Sequence, residues 1–217
     1  MISLKNITKK YGEKTVFENF SLELKDNKIT VVLGESGSGK TTLLNTIAGL
    51  TDFEGEISGA ERVSMVFQRD RLVPHLTVKE NILLVNENAD VPALLSGIGL
   101  NGAENLYPNA LSAGMARRVA ILRAFACPAP VLLMDEPLVN LDLSLKISLM
   151  ETIKRLKAES GKTIVIVTHD VKEAATLSDR VIVINDGKIM YDKSGRDGNT
   201  ESVLTDVLLN GCKNRRS

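Results

Sequence analysis

Apolar and polar positions alternate in short bursts at the front of the chain. ISLKNIT, VFENFSLEL and ITVVLG are each spaced for a strand, and the first two read as antiparallel and half exposed. Residues 40–50, KTTLLNTIAGL, switch to a helical spacing that closes around Gly49, and EGEIS and RVSMVFQ then restore the strand pattern. From about 74 to 126 the character changes. Pro74 opens a stretch with helical pieces near 77–85, 91–98 and 112–126 and no convincing strand, which reads as an inserted helical lobe. After Pro128 and Pro130, strand and helix alternate again: VLLMDEP, a helix over 143–159, TIVIVTHD, a helix over 171–178, and a hairpin RVIVINDGKIM turning at Asn185-Asp186-Gly187. The unbroken apolar runs VLLM and TIVIV suit parallel strands buried on both faces. The tail from Gly195 holds one short helical segment, 201–209, read as a packing helix, and a basic end, KNRR.

The chemistry begins at GESGSGKTT, where Gly34, Glu35, Ser36, Gly37, Ser38, Gly39, Lys40, Thr41 and Thr42 satisfy G-x-x-x-x-G-K-[ST]. The motif follows strand ITVVL and opens a helix, the setting that a phosphate-binding loop requires. Glycines let successive backbone N–H groups close around the α- and β-phosphates, because no Cβ blocks the approach. Lys40 is placed to reach the β- and γ-phosphates, and the Thr41 hydroxyl to bind Mg²⁺.

VLLMDEP supplies the second half. Its apolar residues deliver Asp135 and Glu136 to the C-terminal end of a buried strand, where open parallel sheets bind ligands. Adjacent acids there are costly unless something cationic is near. Asp135 is expected to hold Mg²⁺ through water, and Glu136 to polarise the attacking water as general base. His169 in THD and Gln68 in RVSMVFQ also sit at strand ends, but alone each has a structural reading as well. The turn LSAGMARRV puts Ser112 and Gly114 at the start of a helix. By itself it fits an anion site or a plain N-cap equally well.

Composition narrows the class. Hydrophobic residues are 43% and charged residues 25% of the 217, ordinary for one globular domain with an ample core. The 27 basic and 27 acidic residues cancel, which argues against a long-range nucleic-acid field, and 4% aromatics with no Trp argue against a stacking platform. Cys127 and Cys212 match no metal or redox spacing and read as free thiols in a reducing compartment. The N-terminus lacks the apolar core of a signal peptide, and no run approaches the roughly 18 apolar residues of a membrane helix. The expectation is a cytoplasmic protein that meets a membrane only through a partner.

Taken in order, Tyr11, GESGSGKTT, Gln68, LSAGM, VLLMDEP, LVNLD and His169 resemble the ATP-binding cassette (ABC) ATPases, over nearly all the chain from Tyr11 to about 190. The resemblance implies an α/β fold: a P-loop NTPase core with a mixed, mostly parallel sheet, an antiparallel β subdomain and an inserted α-helical subdomain. The expected boundaries are one domain over 1–217, with a core of about 1–73 and 127–217 and a lobe of about 74–126. It also implies a head-to-tail dimer, with itself or a related cassette, in which Ser112 and the Gly114 amide cap the γ-phosphate of ATP held by the other chain. Tyr11 would stack on adenine, Gln68 touch Mg²⁺ and the attacking water, Asp142 lie at the dimer seam, and His169 act as the γ-phosphate switch. The family's signature turn reads LSGGQ, so Ala113 and Met115 are departures. Ala113 would cost stability if that position needs φ > 0 and would favour the helix if it does not.

With one cassette and no apparent span, transport would need a separate permease on the inner face of the membrane, and a solute-binding protein could accompany it. FQRDRLVPHLTVKENI, MDEPLVNLD and HDVKEAATLSDRV are similar to importer cassettes, nearest the nitrate, sulfonate and taurine group. Lipoprotein-release or export cassettes and soluble, non-transport ABC ATPases remain the alternatives. No nucleic-acid partner is expected.

Overall fold

The computed structural model describes residues 1–195 and 200–213, with side chains as far as Leu209, so the thiol of Cys212 and the basic end lie outside the described residues. The chain order begins β1 (Ile2–Tyr11), β2 (Lys14–Leu24), β3 (Ile29–Leu33), α1 (Lys40–Ile47), β4 (Glu54–Ser58) and β5 (Val63–Val66). Helices α2 (Val78–Leu83), α3 (Val91–Gly97) and α4 (Ala113–Ala126) follow, with a single 3₁₀ turn at Pro108–Ala110. The chain closes with β6 (Val131–Asp135), α5 (Leu143–Ser160), β7 (Thr163–Thr168), α6 (Val171–Leu177), β8 (Arg180–Asn185), β9 (Lys188–Ser194) and α7 (Thr200–Lys213).

Two sheets result. The first has three strands in the order β2-β1-β4, and the second six in the order β5-β6-β7-β3-β8-β9. In the larger sheet β5, β6, β7, β3 and β8 run parallel and β9 alone is antiparallel. The apolar runs explain the layers. Side chains alternate across a strand, so Val31 and Leu33 of β3, Leu132 and Met134 of β6, and Ile164 and Ile166 of β7 enter one core with α2–α7. Their neighbours Val32, Val131, Leu133, Val165 and Val167 enter a second core with α1 and the smaller sheet. Every residue of β3, β6 and β7 is buried, the expectation for parallel strands covered on both faces.

Several boundaries differ from the sequence reading. The strand in RVSMVFQ ends at Val66, two residues before Gln68. The tail helix spans Thr200–Lys213, longer than 201–209, and packs through Leu204, which is fully buried, and through Val207 and Leu208 against the same core. The EGEIS strand, which the sequence assigned to no sheet, pairs antiparallel with β1 in the smaller sheet, Leu4 opposite Ile57. The hairpin turns as expected: Asn185 pairs with Lys188, and Asp186 and Gly187 take φ of 45° and 71°, a primed two-residue turn.

Candidate active site

The C-terminal ends of β3, β6 and β7 open into a cavity of about 950 Å³. Between β3 and α1 the loop carries Gly39 at φ 104° as the N-cap of α1. A Cβ there would lie 3.0 Å from Val16 Cγ1 and 3.1 Å from Phe17 Cζ, so a side chain would be crowded by its neighbours as well as strained by the backbone. The loop folds over its own lysine. Lys40 Nζ, buried, donates to the carbonyls of Gly34 and Glu35, each at 2.8 Å. Burial lowers the Lys40 pKa, and the charges of Glu136, Asp135 and Glu35 oppose that shift.

Lys40's neighbour joins the loop to the second motif. Thr41 Oγ1 donates to Asp135 Oδ1 at 3.1 Å, across 94 residues of sequence. Burial raises the Asp135 carboxyl pKa, against the Thr41 hydrogen bond that favours its charged form. A hydroxyl and a carboxylate in contact, with Gln68 on the same cavity wall, are hard oxygen donors of the kind Mg²⁺ takes. Among the described residues no three His, Cys, Asp or Glu side chains gather as a closed metal cage, and Mg²⁺ does not need one when phosphates complete its shell. Ser38 Oγ is buried with no hydrogen-bond partner, so the loop's own polar groups are not all satisfied internally.

Glu136 follows the strand directly and takes φ 44°, the left-handed region that a side-chain-bearing residue seldom adopts. Its backbone is tied at both ends. The amide donates to Val167 O at 3.0 Å, and the carbonyl accepts from Arg117 Nη2 at 3.1 Å. The resulting aim brings Glu136 Oε1 within 3.2 Å of His169 Nδ1. His169 is held in turn by the strand-to-helix corner behind it. There Asp170 caps α6, Lys146 Nζ bridges Asp170 and Glu173 at 3.1 and 2.8 Å, and Thr168 Oγ1 donates to Glu173 at 2.7 Å. A carboxylate and an imidazole in contact beside a phosphate loop form a pair that can orient and deprotonate water.

Most residues expected at the site line this cavity: Tyr11, the loop residues 34–37 and 39–42, Gln68, Asp135, Glu136 and His169. Ser38 is the exception in the loop, its side chain turned inward beneath Gly34. Tyr11 is half exposed, with Lys9 Nζ 4.5 Å from its ring centroid. Ser112, Gly114 and Asp142 do not reach the cavity. Ser112 Oγ accepts from Met115 N at 3.2 Å as the N-cap of α4, and Asp142 Oδ1 accepts from Leu145 N at 3.0 Å as the N-cap of α5. Gly114 packs closely under α5: a Cβ would fall 2.6 Å from Leu145 Cδ2, so that side chain would have to turn away to admit one.

Two sets of residues have no clear sequence signal. Arg117, in the ambiguous stretch MARRV, is buried and reaches the carbonyls of Phe67, Gln68 and Glu136. Leu208 and Leu209 bring α7 to the cavity wall.

Ala113 resolves one open question. It is the first residue of α4, and its φ is not positive, so alanine suits the position. Ala113→Gly is therefore expected to change ATP turnover by no more than about threefold, under roughly 1 kcal/mol. A steady-state phosphate-release assay checks this, and a hundredfold rise would mark the native turn as a degenerate half-site.

Comparison with known proteins agrees with the geometry. The ABC transporter family profile matches residues 17–139. The aliphatic sulfonates import ATP-binding protein SsuB 3 of Paraburkholderia xenovorans is 39% identical over 213 residues, covering 96% of this chain and 86% of the relative. The spermidine/putrescine import ATP-binding protein PotA of Spiroplasma citri is 40% identical over 213 residues, 87% of this chain but 60% of that longer protein. A dimeric, post-hydrolysis structure of the cassette MJ0796 bound to ADP and Pi superposes with a TM-score of 0.76 at 33% identity, over 91% of this chain and all of that one. Phosphate loop, Thr41–Asp135 contact and aimed Glu136 thus share one fold with cassettes that bind and hydrolyse ATP, and the chain belongs to the ABC transporter family as an ATP-binding, ATP-hydrolysing subunit.

Proposed function

We propose that this cassette works as a head-to-tail dimer that powers a separate membrane permease for solute import. The observation carrying this reading is a division within the fold. The hydrolytic groups converge on one cavity, whereas the N-terminus of α4, with Ser112 and Gly114, stands apart from it and needs a second chain to meet a phosphate. Leu143 and Ile147, exposed beside Asp142, supply apolar surface suited to a seam between two copies.

In this cycle the loop amides hold the α- and β-phosphates, Lys40 reaches the β- and γ-phosphates, and Tyr11 supports the base. Thr41, Asp135 and Gln68 would hold Mg²⁺, which neutralises charge developing on the phosphates. Glu136 takes a proton from the attacking water while His169 fixes the carboxylate's direction. Ser112 and Gly114 of the second chain complete the γ-phosphate's surroundings and exclude water. Loss of the γ-phosphate removes what joins the halves, and their separation would move the surface near 70–82, where the permease is proposed to dock. Among the described residues no helix is long and apolar enough to cross a membrane, in keeping with a peripheral subunit on the inner membrane face. A mostly parallel core of about 1–73 and 127–217 and a lobe of about 74–126 would be the moving parts. The relatives named for sulfonate and polyamine import support the importer reading, and no residue described here reads the solute.

The test is a pull-down of tagged Glu136→Gln protein in Mg-ATP from detergent-solubilised native membranes, with mass spectrometry of the bound proteins. A polytopic membrane protein, with or without a solute-binding protein, is the expected companion. Recovery of ribosomal or DNA-associated proteins alone would replace transport with a soluble role, and a permease partnered by lipoprotein-release factors would make the cassette an exporter.

A further inference from the structure

Arg117 lies on α4, one turn beyond the Gly114 that the proposed dimer places on the second chain's phosphate. Its guanidinium is 3% exposed and makes four hydrogen bonds: Nη1 to Phe67 O and Asp70 Oδ1, each at 2.9 Å, and Nη2 to Gln68 O and Glu136 O, each at 3.1 Å. Two of these acceptors frame the hydrolytic site. Gln68 is on the cavity wall, and Glu136 is the left-handed residue whose backbone direction sets the aim of its carboxylate.

The rest of the segment after β5 is held by the helices rather than by the sheet. Arg123 Nη2, further along α4, donates to Asp70 O and Arg71 O at 3.4 and 2.9 Å. Asn81 on α2 accepts from Val73 N at 2.8 Å and donates to Val73 O, Leu76 O and Thr77 O. Arg117 thus joins two bodies through one planar group. Nη1 holds Phe67 and Asp70 of the segment after β5, which Arg123 and Asn81 grip from the helices, while Nη2 is shared between Gln68 and the carbonyl of Glu136. The fork is planar and buried, so a shift of α4 larger than the side-chain torsions absorb either carries Glu136 O and Gln68 O with it or breaks those hydrogen bonds.

We propose that Arg117 is a positioning residue that couples the two ATP sites of the dimer: engagement of Ser112 and Gly114 with the ATP of the second chain sets the aim of Glu136 in Arg117's own chain. This rests on the head-to-tail reading above. Arg117 touches no reacting atom. It acts through Glu136 and Gln68, so its loss changes turnover and cooperativity without weakening nucleotide binding. Lysine cannot replace it, because a single ammonium cannot span acceptors on opposite sides of the fork. Asp70, with 30% of its side chain exposed, orients the same fork from its far side.

The experiment compares wild type, Arg117→Lys and Asp70→Asn in the full chain by melting temperature, ATP Kd in the absence of Mg²⁺, kcat, and the Hill coefficient for ATP. The milder Asp70→Asn keeps the test informative should Arg117→Lys fold poorly. Expected for Arg117→Lys is a Kd within about threefold of wild type, kcat lower by about tenfold or more, and a Hill coefficient falling from near two toward one. Asp70→Asn is expected to show the same split at smaller amplitude. A kcat that falls only in step with Kd and melting temperature, or cooperativity retained in both variants, would overturn the coupling role. If wild type itself is non-cooperative and Glu136→Gln stays monomeric in Mg-ATP, the sandwich falls, and the coupling with it. If Glu136→Gln dimerises and only the Arg117 split is absent, the coupling alone is overturned.

Discussion

Glu136→Gln is expected to bind Mg-ATP, hydrolyse it slower by about 10²- to 10⁴-fold, the usual worth of a general base, and accumulate as a dimer. Glutamine keeps the length and planarity of the side chain, so the backbone bonds from Arg117 and to Val167 hold it in the same left-handed conformation. Its amide oxygen can still face His169 Nδ1, where the carboxylate lies at 3.2 Å. What disappears is a base able to take the water's proton. Since the γ-phosphate proposed to join the chains would then stay in place, the closed dimer is expected to outlive the measurement. Size-exclusion chromatography with light scattering, with and without Mg-ATP, reads the assembly, and phosphate release reads the rate. A monomer in Mg-ATP would count against the head-to-tail sandwich, and wild-type turnover would remove Glu136 from the chemistry.

The second large effect is at Lys40. Its buried ammonium already sits on the carbonyls of Gly34 and Glu35, so its position at the centre of the loop is set in advance. Burial costs part of its charge stabilisation, which the nearby carboxylates partly restore and a polyphosphate would restore further. Removing charge-assisted contacts to phosphate is worth about 3 kcal/mol, so Lys40→Ala is expected to weaken ATP binding roughly a hundredfold. Isothermal titration with ATP checks the affinity, and circular dichroism confirms that the fold survives. Affinity equal to wild type would sink the assignment of residues 34–42 as the phosphate loop.

Much of the architecture was legible because its signals are local. A parallel strand covered on both faces has to be apolar at every position, and β6 and β7 read as such without reference to anything else. The phosphate loop announces itself by glycine spacing between a strand and a helix, and Asp135, Glu136 and His169 are marked by their place directly at or after apolar runs. Helix starts were legible for the same reason: Asp142 and Asp170 accept hydrogen bonds from amides only two or three residues ahead of them.

What the sequence by itself determined, then, is the order of strands and helices, the phosphate loop and the acids at the C-terminal end of β6. The tertiary structure decided the rest. It placed EGEIS beside β1 in the smaller sheet, carried α7 to the nucleotide cavity, turned Ser38 inward, and showed the signature alanine to be helical. It also made Arg117 a hub, although nothing in MARRV distinguishes that arginine from its neighbour. The physical reason is the range of the interactions. Propensity, capping and glycine spacing act over a few residues, whereas Arg117 meets Phe67 across 50 positions and Thr41 meets Asp135 across 94. Such contacts exist only once two cores have closed on opposite faces of one sheet and fixed where each side chain ends.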